Sequence, residues 1–229
     1  MMNTATRTSI GLRILVALYL LLATPAARAW LEATMSGHML VQIPLLAALG
    51  FVACRLLPEA WQEALLAAAG GPVPHVAVAL FASTWWMLPR ALDDALASPL
   101  VETAKFVSLP ALVGLPLALA WRRLGSIGRG FLWTNFISML AVLGWLYIAA
   151  PLRVCNSYLV DQQESAGWLM VKLALLLFAG WLGSLFVGGN AKCDDSRATS
   201  SNAIDRGQTQ DGAEPSLRRK ALACTDRLR

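Results

Sequence analysis

The sequence predicts an all-α polytopic transmembrane helix bundle, with five spans after a signal peptide, or six spans if that N-terminal segment is not cleaved. The first observation is composition: 57% of the residues are hydrophobic and 14% are charged, whereas a soluble domain has about 45–50% apolar and about 25% charged residues. The second is that apolar runs long enough to cross a bilayer follow one another from Phe51 to Gly189. The third is an uneven distribution of basic residues between these runs. Lipid is therefore the solvent for most of the surface.

Residues 1–29 have the pattern of a signal peptide. A basic start and an apolar run over residues 14–23 precede an A-x-A pattern that ends at Ala29. Cleavage there would make Trp30 the first residue of the mature chain. The alternative is an uncleaved signal anchor that forms the first span. Both interpretations place residue 30 on the outer side of the membrane.

The apolar runs between residues 30 and 189 predict the transmembrane bundle. A short interfacial helix is also predicted within residues 56–72. Residues 190–229 have too few large apolar side chains to form a core, so we predict a disordered, basic cytoplasmic tail. The predicted spans cover residues 34–55, 73–90, 100–121, 131–150 and 167–188.

The charge distribution predicts the orientation. The tail and the connections on its side of the bundle hold twelve Lys and Arg residues, whereas the connections on the other side hold only Arg90 and Arg153. Lys and Arg are retained on the cytoplasmic side during insertion. We therefore predict a multi-pass protein of the bacterial inner membrane with a cytoplasmic C-terminus, in contact with the lipid bilayer. The net charge of +5 is explained by this retention, so no nucleic-acid partner is predicted.

Several function classes lack their motifs in this sequence. It contains no nucleophile–base arrangement, phosphate-binding loop or C-x-x-C motif, so we predict that the protein is not an enzyme. The inner halves of the predicted spans lack a chain of ionisable residues, which argues against a proton pump or secondary transporter. Glycines within spans are typical of close helix contacts. Those considered are Gly50, Gly114, Gly144, Gly180 and Gly183.

The strongest local pattern surrounds a histidine at the start of the first mature span. Met35, His38, Met39 and Gln42 are spaced at i, i+3, i+4 and i+7, so they share one face of a helix. Thioether and imidazole groups together suit a soft ion such as Cu(I). Met87, at the outer end of the second span, is a further candidate ligand. The alternative is ordinary packing of the methionines and a hydrogen bond from the histidine to a neighbouring helix.

Four other polar residues are candidates for a role on the outer side. Glu102 and Lys105 lie one turn apart at the top of the third span, and we predict that they neutralise each other. Asp161 and Gln162 lead into the fifth span, where Asp161 is a candidate helix cap.

Three stretches of the sequence resemble the multi-span CtaG-type cytochrome c oxidase assembly factors. Residues 35–46 are similar to the M-x-x-H-M…P-L-L helix of that family. Residues 86–96 are similar to its W-H-x-P…D-A-A helix end and loop. Residues 161–170 are similar to its D-Q-Q…G…M segment. The order and spacing agree over residues 30–188.

The resemblance implies a non-enzymatic membrane protein that helps to put copper into a respiratory haem–copper oxidase, with an oxidase subunit or a copper chaperone as its partner. His38, Met35, Met39 and Met87 would then bind Cu(I). Asp161, with Gln162, would position the fifth span or the partner.

The chain also departs from the family pattern. Gln42 and Met87 stand where the family has histidines, and Glu102 and Lys105 stand near the head of a span where it also tends to have histidines. Two alternatives therefore remain open. One is a metal-free membrane scaffold that has lost the ligands, and the other is a small-solute transporter.

Overall fold

The structure is a computed structural model that describes residues 4–150 and 157–205. All of the regular secondary structure in these ranges is helical, which confirms the predicted all-α fold. The helices are α1 (Thr4–Ala23), α2 (Pro25–Glu32), α3 (Gly37–Leu56), α4 (Glu59–Ala68), α5 (Pro72–Met87), α6 (Pro89–Ala97), α7 (Pro99–Trp121), α8 (Ser126–Ala149) and α9 (Val160–Asp205).

Four of these helices are long and apolar enough to cross a membrane. They are α3, α7, α8 and the Val160–Ser184 part of α9. Two bent pairs of helices would each make a further span, with an angle of 66° between α1 and α2 and of 82° between α4 and α5. The described chain therefore has four to six candidate spans. This range supports the predicted polytopic membrane protein.

Two segments of the chain are more helical than the sequence indicated. The segment after α5, predicted as an outer loop, forms α6, which begins with a proline in its first turn and buries Ala91, Leu92 and Ala95. The last helix begins at Val160 and continues to Asp205, past residue 190, where the sequence predicts disorder. The segment from 190 to 205 contains neither glycine nor proline that would end it. The rest of the predicted tail, 206–229, lies outside the described residues.

The chain divides into two compact units, Met1–Leu175 and Leu176–Arg229. The first contains α1 to α8 and the start of α9, and all contacts discussed below lie within it. The second contains the continuation of α9, where the rings of Phe178 and Trp181 lie 6.3 Å apart.

Helices α3 and α7 meet backbone to backbone. A Cβ atom added at Gly50 would lie 2.2 Å from the carbonyl oxygen of Pro110, and one at Gly114 would lie 2.1 Å from that of Ala47. Gly144 likewise lies against Gly167 of α9. The predicted close contacts are therefore confirmed at Gly50, Gly114 and Gly144. At Gly180 and Gly183, which lie in the second unit, an added Cβ would meet no atom within 4 Å in the described structure, so close contacts at these two positions stay a prediction.

Both helices of this pair contain a π-helical turn next to proline. The turns are Gly37–Gln42 in α3 and Leu109–Gly114 in α7. At their ends, the N–H of Ile43 donates to His38 and that of Leu115 donates to Pro110, five residues back. Proline has no N–H to offer to the usual i−4 carbonyl, and Pro44 and Pro116 follow these turns directly. The wider turns therefore reorganise the backbone hydrogen bonds that precede these prolines.

The two ends of the bundle differ in chemistry. The end that carries the N-termini of α3 and α7, here called the histidine end, contains a group of buried polar side chains. The opposite end, here called the arginine end, carries the connection between α7 and α8. There Arg122 pairs with Glu59 at 3.1 Å and Arg123 with Glu63 at 2.9 Å. These pairs hold α4 against the connection but are exposed, so each adds little stability.

Candidate functional site

The predicted face of α3 is buried at the histidine end. Met35, His38, Met39 and Gln42 all have no exposed surface. The spacing therefore correctly predicted a shared inward face, although the turn is π-helical rather than α-helical.

Lys105 of α7 lies at the centre of a buried polar cluster, which we call the lysine cluster: Glu32, His38, Gln42, Lys105 and Tyr158. Its Nζ lies 2.9 Å from Oε1 of Glu32, 3.0 Å from Nε2 of His38 and 3.0 Å from Oε1 of Gln42. An ammonium group has three hydrogens to donate, and each has an acceptor here. A fully buried charge is tolerated only when it is paired and hydrogen-bonded, and this arrangement meets both conditions.

The lysine cluster also determines which nitrogen of His38 carries a proton. An ammonium only donates, so Nε2 of His38 must accept from Lys105. The proton of the neutral imidazole is then on Nδ1, which donates to the hydroxyl of Tyr158 at 3.1 Å. That hydroxyl donates in turn to the backbone carbonyl of Glu32 at 2.9 Å. Both ring nitrogens are therefore used within the protein.

Glu32 closes the lysine cluster from the N-terminal side. Its Oε1 accepts from Lys105 and, at 2.9 Å, from the amide nitrogen of Gln42. Its side chain is only 12% exposed. The end of α2 thus supplies the carboxylate that neutralises the lysine of α7.

Glu102 and Lys105 do not neutralise each other, so this prediction is wrong. Glu102 forms an ion pair with Arg28 of α2, and Lys105 forms one with Glu32 of the same helix. One turn of a helix keeps two side chains near each other, but α2 brings opposite charges directly against both. Within the described chain, Nε of Arg28 and Oε1 of Glu102 are buried without a hydrogen-bond partner.

The remaining predicted residues lie in different surroundings. Met87 is buried at the end of α5, where its neighbour Trp86 donates from its indole nitrogen to the hydroxyl of Ser108 at 2.8 Å. Asp161 is exposed and Gln162 is partly buried at the start of α9. The residue that joins α9 to α8 is Gln163, which donates to the carbonyl of Tyr147 at 3.2 Å.

Sequence reasoning missed Arg28, Glu32 and Tyr158. Arg28 fell within the predicted signal peptide, and Glu32 fell in the short segment before the first predicted span. The available signal was the combination of two charged residues within a short helix that follows Pro25. Nothing in the local sequence distinguishes Tyr158, because its role depends on a contact with a residue 120 positions away.

Both ring nitrogens of His38 are occupied by protein groups in this arrangement, which bears on the predicted Cu(I) site. An ion on Nε2 of His38 would lie beside the ammonium of Lys105, and like charges repel strongly where water is excluded. Binding through Nδ1 would displace Tyr158. The arrangement can instead hold three parts of the chain together through buried charges.

The comparisons with known proteins add no relative, since no family model, curated protein or solved structure matches the chain.

Proposed function

We propose that this chain is a non-enzymatic scaffold of the bacterial inner membrane that acts in the assembly of a respiratory haem–copper oxidase, without binding copper at His38. The C-terminus would be cytoplasmic, and the histidine end would face outward and meet an oxidase subunit or a copper chaperone. The observation that carries the metal-free part is the position of Lys105. Its ammonium lies against Nε2 of His38, a nitrogen that would have to be free for the ring to bind a metal ion.

The proposal rests on the sequence resemblance to oxidase assembly factors and on contacts close to its three stretches. Residues 35–46 and 86–96 are distant in the sequence, but both contact residues 157–158, which lie just before the third stretch, residues 161–170. His38 meets Tyr158, just before α9, and the adjacent Ser157 N–H donates to Asp93 at 3.1 Å. A scaffold of this kind requires that distant segments form one stable end.

A gene-deletion strain complemented with variants tests the proposal. The account predicts that the wild-type chain restores the haem absorption and copper content of the oxidase. His38→Ala should also restore both, because it removes an acceptor but leaves the Lys105–Glu32 pair. Lys105→Met should fail, because it leaves Glu32 buried without its charge partner. Lys172→Met is the matched control, since Lys172 is exposed on α9.

Two results would count against the proposal. Loss of oxidase copper in the His38→Ala strain, with the variant present at the wild-type level in membranes, would contradict the metal-free role. Normal oxidase in the deletion strain itself would contradict any role in oxidase assembly.

Copper handling by Met35, His38, Met39 and Met87 is the second candidate. The specific support is that two thioethers and the imidazole are fully buried on one face of α3, and Met87 is almost fully buried. This candidate requires Lys105 to move away from His38. It predicts that the His38→Ala strain loses oxidase copper, which separates it from the first candidate.

A further inference from the structure

An apolar cavity of about 330 Å³ lies between α3, α5, α7 and α8. Its walls are formed mainly by Ala, Leu, Phe and Trp side chains, including Ala48, Leu117 and Phe136. The polar wall residues are few, and the hydroxyl of one of them, Ser83, already donates to the carbonyl of Leu80. Water does not fill such a cavity well, because it finds too few hydrogen-bond partners. An empty gap of this size would forfeit the dispersion contacts that close packing provides.

The cavity opens on the lipid-facing surface of the bundle. Three wall residues, Ala48, Trp133 and Phe136, remain exposed. Since α3, α7 and α8 are long and apolar enough to cross the membrane, this opening faces hydrocarbon. A lipid chain is therefore the available molecule that matches the walls.

An arginine that has no carboxylate partner among the described residues lies beside the cavity at the arginine end. Trp121 is a wall residue, and the guanidinium of Arg129 lies 5.5 Å from the centre of its indole ring and donates to its carbonyl at 3.2 Å. Arg122 and Arg123 have carboxylate partners. In the described structure, Arg129 is exposed and has no such partner. Arginine binds phosphate through several well-directed hydrogen bonds.

We propose that the cavity and Arg129 form a binding site for one anionic phospholipid, with an acyl chain between the helices and the headgroup phosphate at Arg129. Basic residues beside helix gaps are typical of sites for anionic headgroups. The sequence-predicted orientation places this end at the cytoplasmic leaflet, where anionic lipids attract basic segments. The site is separate from the lysine cluster at the other end of the bundle.

Native mass spectrometry of the purified full-length chain tests the site. The protein is delipidated in detergent and offered phosphatidylglycerol or phosphatidylcholine with the same acyl chains, or glycerol 3-phosphate without chains. We expect one phosphatidylglycerol molecule to be retained about five-fold more tightly than phosphatidylcholine, the factor expected for one basic residue near an anionic headgroup. Glycerol 3-phosphate should leave no adduct, because it cannot fill the cavity.

Two pairs of variants separate the headgroup from the chain. Arg129→Gln should remove the preference for phosphatidylglycerol, whereas Arg123→Gln, in the connection just before α8, should keep it. Ala48→Phe should fill the cavity and abolish retention of both lipids, whereas Val52→Phe, at an exposed position of α3 that is not part of the wall, should retain them. Circular dichroism with a thermal scan verifies that each variant is folded.

Equal retention of the two lipids by the wild-type chain would overturn the proposal. So would an equal effect of Arg129→Gln and Arg123→Gln, because that result would indicate only general attraction by a basic surface. Unchanged lipid retention by folded Ala48→Phe would show that the acyl chain does not bind in the cavity, and it would also overturn the proposal.

Discussion

The ammonium of Lys105 lies 3.0 Å from Nε2 of His38 and 2.9 Å from the carboxylate of Glu32. Lys105 thereby uses the hydrogen-bond acceptor of the His38 ring and connects α2, α3 and α7. His38, the most distinctive residue of the sequence, therefore lies in a buried charge network that holds these helices together.

The first prediction concerns the Lys105–Glu32 ion pair. Lys105→Met should lower the free energy of unfolding by about 3–5 kcal/mol, because it leaves a carboxylate almost fully buried without its partner. Glu32→Gln should also destabilise, and the double variant should lose less than the sum of the two, because it removes both charges. Reversible unfolding in detergent measures all three. Glu59→Gln, which removes one partner of an exposed ion pair, is the control and should change the free energy of unfolding by less than about 1 kcal/mol. Additive losses in the double variant would contradict the Lys105–Glu32 pairing.

The second prediction concerns Arg28 and residues 1–29. Cleavage after Ala29 would remove the partner of Glu102, together with Tyr19, whose hydroxyl donates to the carbonyl of Phe106 at 3.2 Å. We therefore expect the intact mass of the protein from membranes to include α1. Arg28→Gln should lower the unfolding temperature, and adding Glu102→Gln should recover part of the loss. An intact mass that corresponds to a chain beginning at Trp30, together with an unchanged unfolding temperature of Arg28→Gln, would contradict this prediction.

The third prediction concerns the crossing of α3 and α7. Gly50→Ala should destabilise the bundle by about 1–3 kcal/mol or more, because its methyl group would meet the backbone of Pro110, which has no flexible side chain to move aside. Gly180→Ala is the control, since its added methyl group would meet open space and alanine favours the helix. Equal stability of Gly50→Ala and wild type in a thermal unfolding assay would show that the helices do not approach as closely as described.

The fourth prediction concerns the protonation of His38. Nitrogen NMR of ¹⁵N-histidine-labelled protein should show a neutral ring with the proton on Nδ1, because Nε2 accepts from Lys105 and Nδ1 donates to Tyr158. Tyr158→Phe should destabilise the chain by about 1 kcal/mol, the usual net effect of losing a hydrogen bond. His75 provides the second histidine signal, and a spectrum of the His38→Ala variant assigns it. A proton on Nε2 of His38 would contradict the arrangement of the lysine cluster.

The sequence predicts the helices well where the physical signal is local. Apolar runs of membrane-spanning length are visible without any knowledge of packing, and the i, i+3, i+4, i+7 spacing from Met35 to Gln42 correctly gave an inward face. The small helix α6 escaped prediction because nine residues with three buried apolar positions do not stand out from a polar loop.

The partners of charged residues could not be predicted in the same way. Glu102 and Lys105 are neighbours on one helix, so local reasoning paired them, whereas their actual partners come from α2, more than 70 residues away. Lys105 meets His38 across the pair α3 and α7, whose crossing also brings the backbones together at Gly50 and Gly114. That crossing depends on tertiary packing, which a single sequence does not specify.

Competition titration of the purified chain with Cu(I) tests the central claim most directly. The account predicts that wild type and His38→Ala bind Cu(I) equally weakly, because Lys105 holds Nε2 of His38 in the folded protein. Lys105→Leu, which adds no thioether of its own, should then reveal any latent Cu(I) affinity of the native residues, and that gain should disappear when His38→Ala is added. Wild-type binding that is at least ten-fold tighter than that of folded His38→Ala would contradict the account and establish His38 as a copper ligand.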